Sequence, residues 1–159
     1  MANLIYLTLT GQTQGLISAG CSSLDSIGNK AQIVHLDQIM VYELTHIILR
    51  KQNVNHQPLI ITKAIDKSSP LLGKAISENE LLTCDFDVYR TNKFGINEKF
   101  YKIKLTEARI SDIHLIFPSS LINNNSQPQE RISLSYETIT WEHTAAGTSS
   151  YSLWKDRIL

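Results

Sequence analysis

A chain of 159 residues, 42% of them hydrophobic, has the length of one ordinary domain and enough apolar material for a single core. Fifteen Lys and Arg balance fifteen Asp and Glu, so there is no global positive field to hold nucleic acid or an anionic membrane, and little self-repulsion against association between copies. No window approaches the ~20 apolar residues of a membrane span, and Cys21 and Cys84 stand alone, which predicts two reduced thiols and neither a disulfide framework nor a zinc motif.

The opening MANLIYLTLTGQ has no basic residue ahead of its short, threonine-interrupted apolar run, so it reads as a strand and not as a leader peptide, ended by Gly11 and Gly15. GCSSLDSIGNKAQ (20–32) has the Ser, Gly and Asn density of a long loop. DQIMVYELTHIILR (37–50) predicts the second strand, although its Leu and Met content leaves a helix open. Parity along it puts Met40, Tyr42, Leu44 and His46 on the core face, with Val41, Glu43, Thr45 and Ile47 opposite. A polar connection, RKQNVNHQ (50–57), leads to the strand PLIITKAI (58–65).

AIDKSSPLLGKAISENE (64–80) breaks the strand rhythm. Ser68 or Ser69 fits an N-cap, Pro70 fits the first turn, and Leu71, Leu72, Ala75 and Ile76 form one apolar stripe. A helix of two to three turns is too short to stand alone and must plug or flank a sheet. LLTCDFDVYRT (81–91) alternates Cys84, Phe86 and Val88 against Asp85, Asp87 and Tyr89. After the turn NKFG, the segment 98–117 sets Tyr101, Ile103 and Leu105 against Lys102 and Lys104, then begins a second apolar run at Ile110. PSSLINNNSQPQE (118–130) is the most loop-like stretch, and RISLSYETITWEH (131–143) shifts its apolar phase by one residue, as a bulge does. The expected fold is mainly β: one domain over 1–159, a closed or nearly closed β-barrel of two packed sheets and roughly eight short strands, with one short flanking α-helix.

Catalysis has little support. His35, His46, His56, His114 and His143 are scattered without a metal-ligand spacing, and no nucleophile elbow or phosphate-cradling glycine loop is present, so neither metal nor cofactor is expected. Asp85 with Asp87 has the spacing of alternate acids on a solvated strand face, and Trp141 and Trp154 are read as core or interface anchors.

TKAIDKSSPLL (62–72), a following strand that ends in YR, and ITWEHTAAGTSSYSLW (139–154) resemble the Hcp family, the haemolysin-coregulated tube proteins of type VI secretion systems in Gram-negative bacteria. The N-terminal 32 residues share the resemblance, and the motif positions are Lys63, Asp66, Lys67, Ser68 and Pro70. The resemblance implies a hexameric ring, rings stacked into a hollow tube inside a contractile sheath, a spike protein at the tip, and effector proteins held in the lumen. It also implies synthesis in the cytoplasm and release through the type VI apparatus without a cleaved signal, with no nucleic-acid partner and no membrane insertion. Some relatives carry a C-terminal toxin, whereas here no further domain is expected after Trp154. The alternative is a small monomeric barrel acting as a binding module or as a hydrolase of unrecognised type.

Within that resemblance, Glu43, Thr45, Asp85, Asp87, Lys102 and Lys104 are the expected lumen-facing, effector-binding positions. Arg50, Lys51, Gln52, Asn53, Val54, Asn55, His56 and Gln57 form the expected ring-stacking loop, with the segment around Ile27 to Gln32 beside it. Asp66 and the serines before the helix are expected to cap it.

Overall fold

A computed structural model describes residues 3–123 and 125–155. Asn124 of the asparagine-rich loop and the last four residues, on which the expectation of no further domain bears, lie outside the described residues. Among the described residues nine strands make one sheet and two make another. The order is β1 (Leu4–Gly11), β2 (Gly15–Leu16), α1 (Leu24–Ile27), β3 (Ile39–Thr45), β4 (Ile48–Arg50), β5 (Val54–His56) and β6 (Leu59–Ala64). Then come α2 (Ser69–Ser77), β7 (Leu82–Thr91), β8 (Asn97–Ile116), β9 (Gln129–Ser135), β10 (Thr138–His143) and β11 (Thr148–Leu153).

The large sheet runs β11-β10-β8-β7-β1-β3-β6-β9, and β8 pairs with β9 as well, so β8-β7-β1-β3-β6-β9 is a hydrogen-bonded circuit that closes on itself. Closure depends on the length of β8. Its first half pairs with β7 and β10, from Thr106 opposite Thr138 to Lys102 opposite Glu142, and its second half pairs with β9, from Arg109 opposite Ser135 to Ile116 opposite Gln129. Between the halves Glu107 takes a φ of 51°, a local break that bends the strand around the corner. The sequence suggests two runs here; they are one strand of 20 residues.

Period-two patterning places the core. Leu7 and Leu9 of β1, Ile39 and Val41 of β3, Leu59 and Ile61 of β6, Cys84 and Phe86 of β7, Ile103 and Leu105 of β8, and Ile132 and Leu134 of β9 are all buried in one cluster. Each such Leu, Ile or Phe contributes roughly 1.5–3 kcal/mol by leaving water. Helix α2 adds Leu72 and Ala75 to the same cluster, so the helix packs on the sheet circuit as its apolar stripe predicts. Two residues past its end, Asn79 has a φ of 52° and supplies the left-handed residue usual after a helix C-terminus.

Three expectations are corrected. The parity along β3 is wrong over its first half: Ile39 and Val41 face the core, a register shift between Val41 and Glu43 leaves Tyr42 and Glu43 both exposed, and only then does Leu44 turn inward. The segment 37–57 is not one strand and a loop, because β3 stops at Thr45, and β4 and β5 form a separate hairpin with Ile48 opposite His56. The phase shift in 131–143 is not a bulge but a break between β9 and β10 at Tyr136 and Glu137. The long loop before β3 also holds α1 and two turns of 3-10 helix.

Candidate functional site

The Lys63–Pro70 motif begins inside the sheet circuit. Lys63 lies across from Val41 and from Glu130 in the neighbouring strands, on the face shared with Ile61 and Ile132, and it is fully buried. Its ammonium donates to Asp66 Oδ1 at 3.0 Å, to the Ala64 carbonyl at 3.0 Å and to Glu130 Oε1, which uses its three protons. Asp66 Oδ1 also accepts the Ser68 amide at 2.9 Å and the Ser68 hydroxyl. Ser69 Oγ accepts the Asp66 amide at 3.0 Å and donates to Glu130 at 2.8 Å. Ser68 makes no side-chain cap bond to the helix, so the expected serine cap is replaced by a turn closed by Asp66 and locked to β6 and β9. Lys67 and Pro70 face solvent, with the Lys67 amide held by Ser26 Oγ at 2.9 Å.

A second tie holds the N-terminal turn. Glu80, just before β7, accepts from the Thr13 and Gln14 amides at 3.3 and 3.1 Å and from Gln14 Nε2 at 3.1 Å. Gly11 allows this approach, because a Cβ there would sit 1.9 Å from Glu80 Oε2.

Four of the six expected lumen positions come together. On the outward face of β7 and β8, Asp85 stands opposite Lys104 and Asp87 opposite Lys102, and the ion pairs run diagonally: Lys102 to Asp85 at 3.7 Å and Lys99 to Asp87 at 3.8 Å. The register extends this patch to Thr140 and Glu142 of β10 and to Thr8 of β1. Gln38 reaches it too, donating to Thr8 Oγ1 at 3.1 Å and Asp87 Oδ2 at 3.2 Å. Lys99, Thr8, Thr140, Glu142 and Gln38 are not among the expected positions; strand parity signals Thr8, Thr140 and Glu142, whereas Lys99 has the parity of Tyr101 and Ile103 and joins the patch only through the register shift between Val88 and Tyr89. Glu43 and Thr45 are exposed on β3, opposite Thr62 and Ile60 of β6, and β1 lies between them and the charged patch. His35 stacks on Tyr6 at 3.7 Å and covers this side of β1, while Asp37 accepts from the Gly20 amide at 2.9 Å.

The segment 50–57 is the tip and second strand of the β4–β5 hairpin. Arg50, Lys51, Gln52 and Asn55 are exposed, Asn53 and Val54 are half-buried, and Gln57 closes the root through its amide to the Ile47 carbonyl at 3.2 Å. His56 does not project, being buried at that root. The apolar side chains Ile47, Ile48 and Leu49 are exposed along the other strand, and a two-stranded hairpin of this kind is marginal in water without a partner surface. Further large apolar side chains are bare on other loops: Leu24, Ile33 and Val34 before β3, Phe94 and Ile96 at the β7–β8 turn, and Leu121 and Ile122 after β8.

Among the described residues no group of three His, Cys, Asp or Glu is placed to hold a metal, and no helix is long and apolar enough to cross a membrane. Both cysteines are buried and unpaired with one another, and burial pushes the Cys21 thiol up to about 11 and the Cys84 thiol higher still.

The model of the type VI secretion system effector family Hcp matches residues 6–143. The chain belongs to the Hcp family. A crystal structure of an Hcp protein is 36% identical, with a TM-score of 0.91 and coverage of 98% of this chain and 99% of that one. The secreted protein Hcp3 from Pseudomonas aeruginosa is also 36% identical, with a TM-score of 0.89 over 98% of this chain and all of that chain. A major exported protein of Pseudomonas aeruginosa is 34% identical over 99% of both chains. The Escherichia coli K12 protein YhhZ is 41% identical over 93% of this chain, which spans only 37% of that longer protein. Type VI secretion is therefore the setting of this Hcp chain, and its β-rich fold with one flanking helix is that of the family.

Proposed function

We propose that this Hcp chain is the building block of a type VI inner tube: copies close into hexameric rings, rings stack into a hollow tube, and the tube is exported with effector proteins in its lumen. The spike at the tip and the contractile sheath outside are its further partners, and its role is structural, not catalytic. The observation that carries this reading is the near full-length likeness to an exported protein and to Hcp structures. The surface supports it. A ring and a stack need several different contact faces on one subunit, and bare apolar side chains occur on the hairpin, on two loops and on the β7–β8 turn.

The outward patch of Asp85, Asp87, Lys102 and Lys104 is assigned to the lumen, with Glu43 and Thr45 as a second lumen segment. A wall of mixed charge suits a hole through which varied proteins pass, because a strongly apolar wall would retain them. The hairpin residues 50–57 are assigned to ring stacking. Size-exclusion chromatography with light scattering tests the assembly: the expected mass is six times 18.0 kDa, and a stable monomer at micromolar concentration would favour a lone barrel acting as a binding module.

A further inference from the structure

The β4–β5 hairpin leaves the barrel at His46 and rejoins it at His56, and the two imidazoles meet on one hydroxyl. His46 Nε2 lies 2.7 Å from Tyr136 Oη, and His56 Nδ1 lies 2.8 Å from the same oxygen. His56 Nε2 continues to Ser152 Oγ of β11 at 2.9 Å. Trp154 stacks on the His56 ring at 5.8 Å and meets Tyr136 edge-on at 4.8 Å. Tyr136 sits at the corner between β9 and β10, so the contact joins the hairpin root to the barrel wall and to the last strand.

We propose that the His46–Tyr136–His56 contact is a proton-operated latch, closed against the barrel while it carries at most one extra proton and released when both imidazoles are charged. The count follows from the donors available. A tyrosine hydroxyl has one proton to give and two lone pairs, so with both imidazoles neutral it donates to one nitrogen and accepts from the other N–H. One added proton, taken by the far nitrogen of the imidazole that already donates, keeps both bonds to the hydroxyl and leaves every group satisfied. A second turns both nitrogens into donors, strands the hydroxyl proton and places two cations on one oxygen. The pair therefore titrates in two coupled steps, and the second opens the latch.

Burial already holds the His46 pKa below its ordinary 6.5, and the neighbouring His56 lowers it further against an opposing contribution from the Gln57 backbone. A released hairpin exposes imidazoles that bind protons normally, so the open form gains as pH falls below ~6.5 and the closed form holds above it. Among the described residues, Lys51 and Lys155 line the cleft that Trp154 shares with the hairpin, and Glu107, Arg109, Glu137 and Lys155 line the cleft that holds Tyr136. No carboxylate among the described residues forms an ion pair with His46. The use of the latch to regulate ring stacking rests on the stacking role proposed above; the latch itself does not.

The test is amide hydrogen exchange on the whole protein, corrected for intrinsic rates, at about pH 7.5 and about pH 5. The expected result is a loss of about tenfold or more in protection of residues 47–57 at the lower pH, with β1 and β7 unchanged. Tyr136→Phe is expected to lack that protection at both pH values. His46→Gln, which hydrogen-bonds but does not titrate, is expected to keep it at both and serves where Tyr136→Phe fails to fold. Equal protection of the hairpin at both pH values in the parent protein, or an undiminished pH response in His46→Gln, overturns the latch. A pH-dependent hairpin in a protein whose tubes ignore pH supports the latch and removes only its link to stacking.

Discussion

Lys63→Met tests the energetic account of the motif most sharply. The variant keeps the volume of the stem but removes the one cation shared by Asp66 and Glu130, whose side chains are only 2% and 4% exposed. Two carboxylates then remain in one dry site, and Glu130 keeps only the Ser69 hydroxyl as a side-chain donor among the described residues. Breaking a buried ion pair from one side costs about 3–5 kcal/mol. For a domain of this size each kcal/mol moves the melting point by about 2–4 °C, so a fall of roughly 10 °C or more is expected in thermal and urea unfolding at neutral pH. Lys63→Met with Glu130→Leu should recover much of that loss, since Asp66 keeps its bonds from the Ser68 amide and hydroxyl. A single variant that melts within about 1 kcal/mol of the parent, or a double variant less stable than the single, would show that the network is solvated or that its charges are not coupled.

Three further outcomes are expected. Shortening Lys51 to Asn55 should leave the hexamer mass unchanged and abolish tube elongation in negative-stain images, and tubes of normal length would remove the hairpin from stacking. Thr45→Gln adds bulk at an exposed position that the proposed ring would repeat six times, so pull-down of effectors should weaken while mass and melting point stay at parent values; loss of the hexamer would place Thr45 in a subunit contact instead. Cys21, with its thiol pushed up to about 11 first by burial and then by Asp66, should react with iodoacetamide at pH 8 at least tenfold more slowly in the native protein than in urea. Equal rates would mean that the site is open.

Much of the fold is legible because strand parity is local. Cys84, Phe86, Ile103 and Leu105 declare their face from their own neighbours, and the proline and apolar stripe of 64–80 declare the helix. What stayed hidden depends on distant partners. The register shift in β3 is set by pairing with β6, and nothing between Val41 and Glu43 announces it. The break at Tyr136 and the bend of β8 arise together from closing the circuit, so a phase shift in the sequence fits bulge and corner equally well. Lys63 has no partner in view until Glu130, 67 residues away, is brought opposite it, and His46, placed on the core face by parity, shows its purpose only when Tyr136 supplies its hydrogen bond. The outward charges of β7 and β8 were readable as a face, whereas the ion pairs between them, running diagonally, were not.

A direct view of the assembled particle by electron microscopy bears most directly on the central claim. The account predicts six-fold rings in which the Asp85, Asp87, Lys102 and Lys104 face borders the central hole and the β4–β5 hairpin reaches toward the adjacent ring. Two-fold particles, isolated monomers, or rings that turn this charged face outward would contradict it.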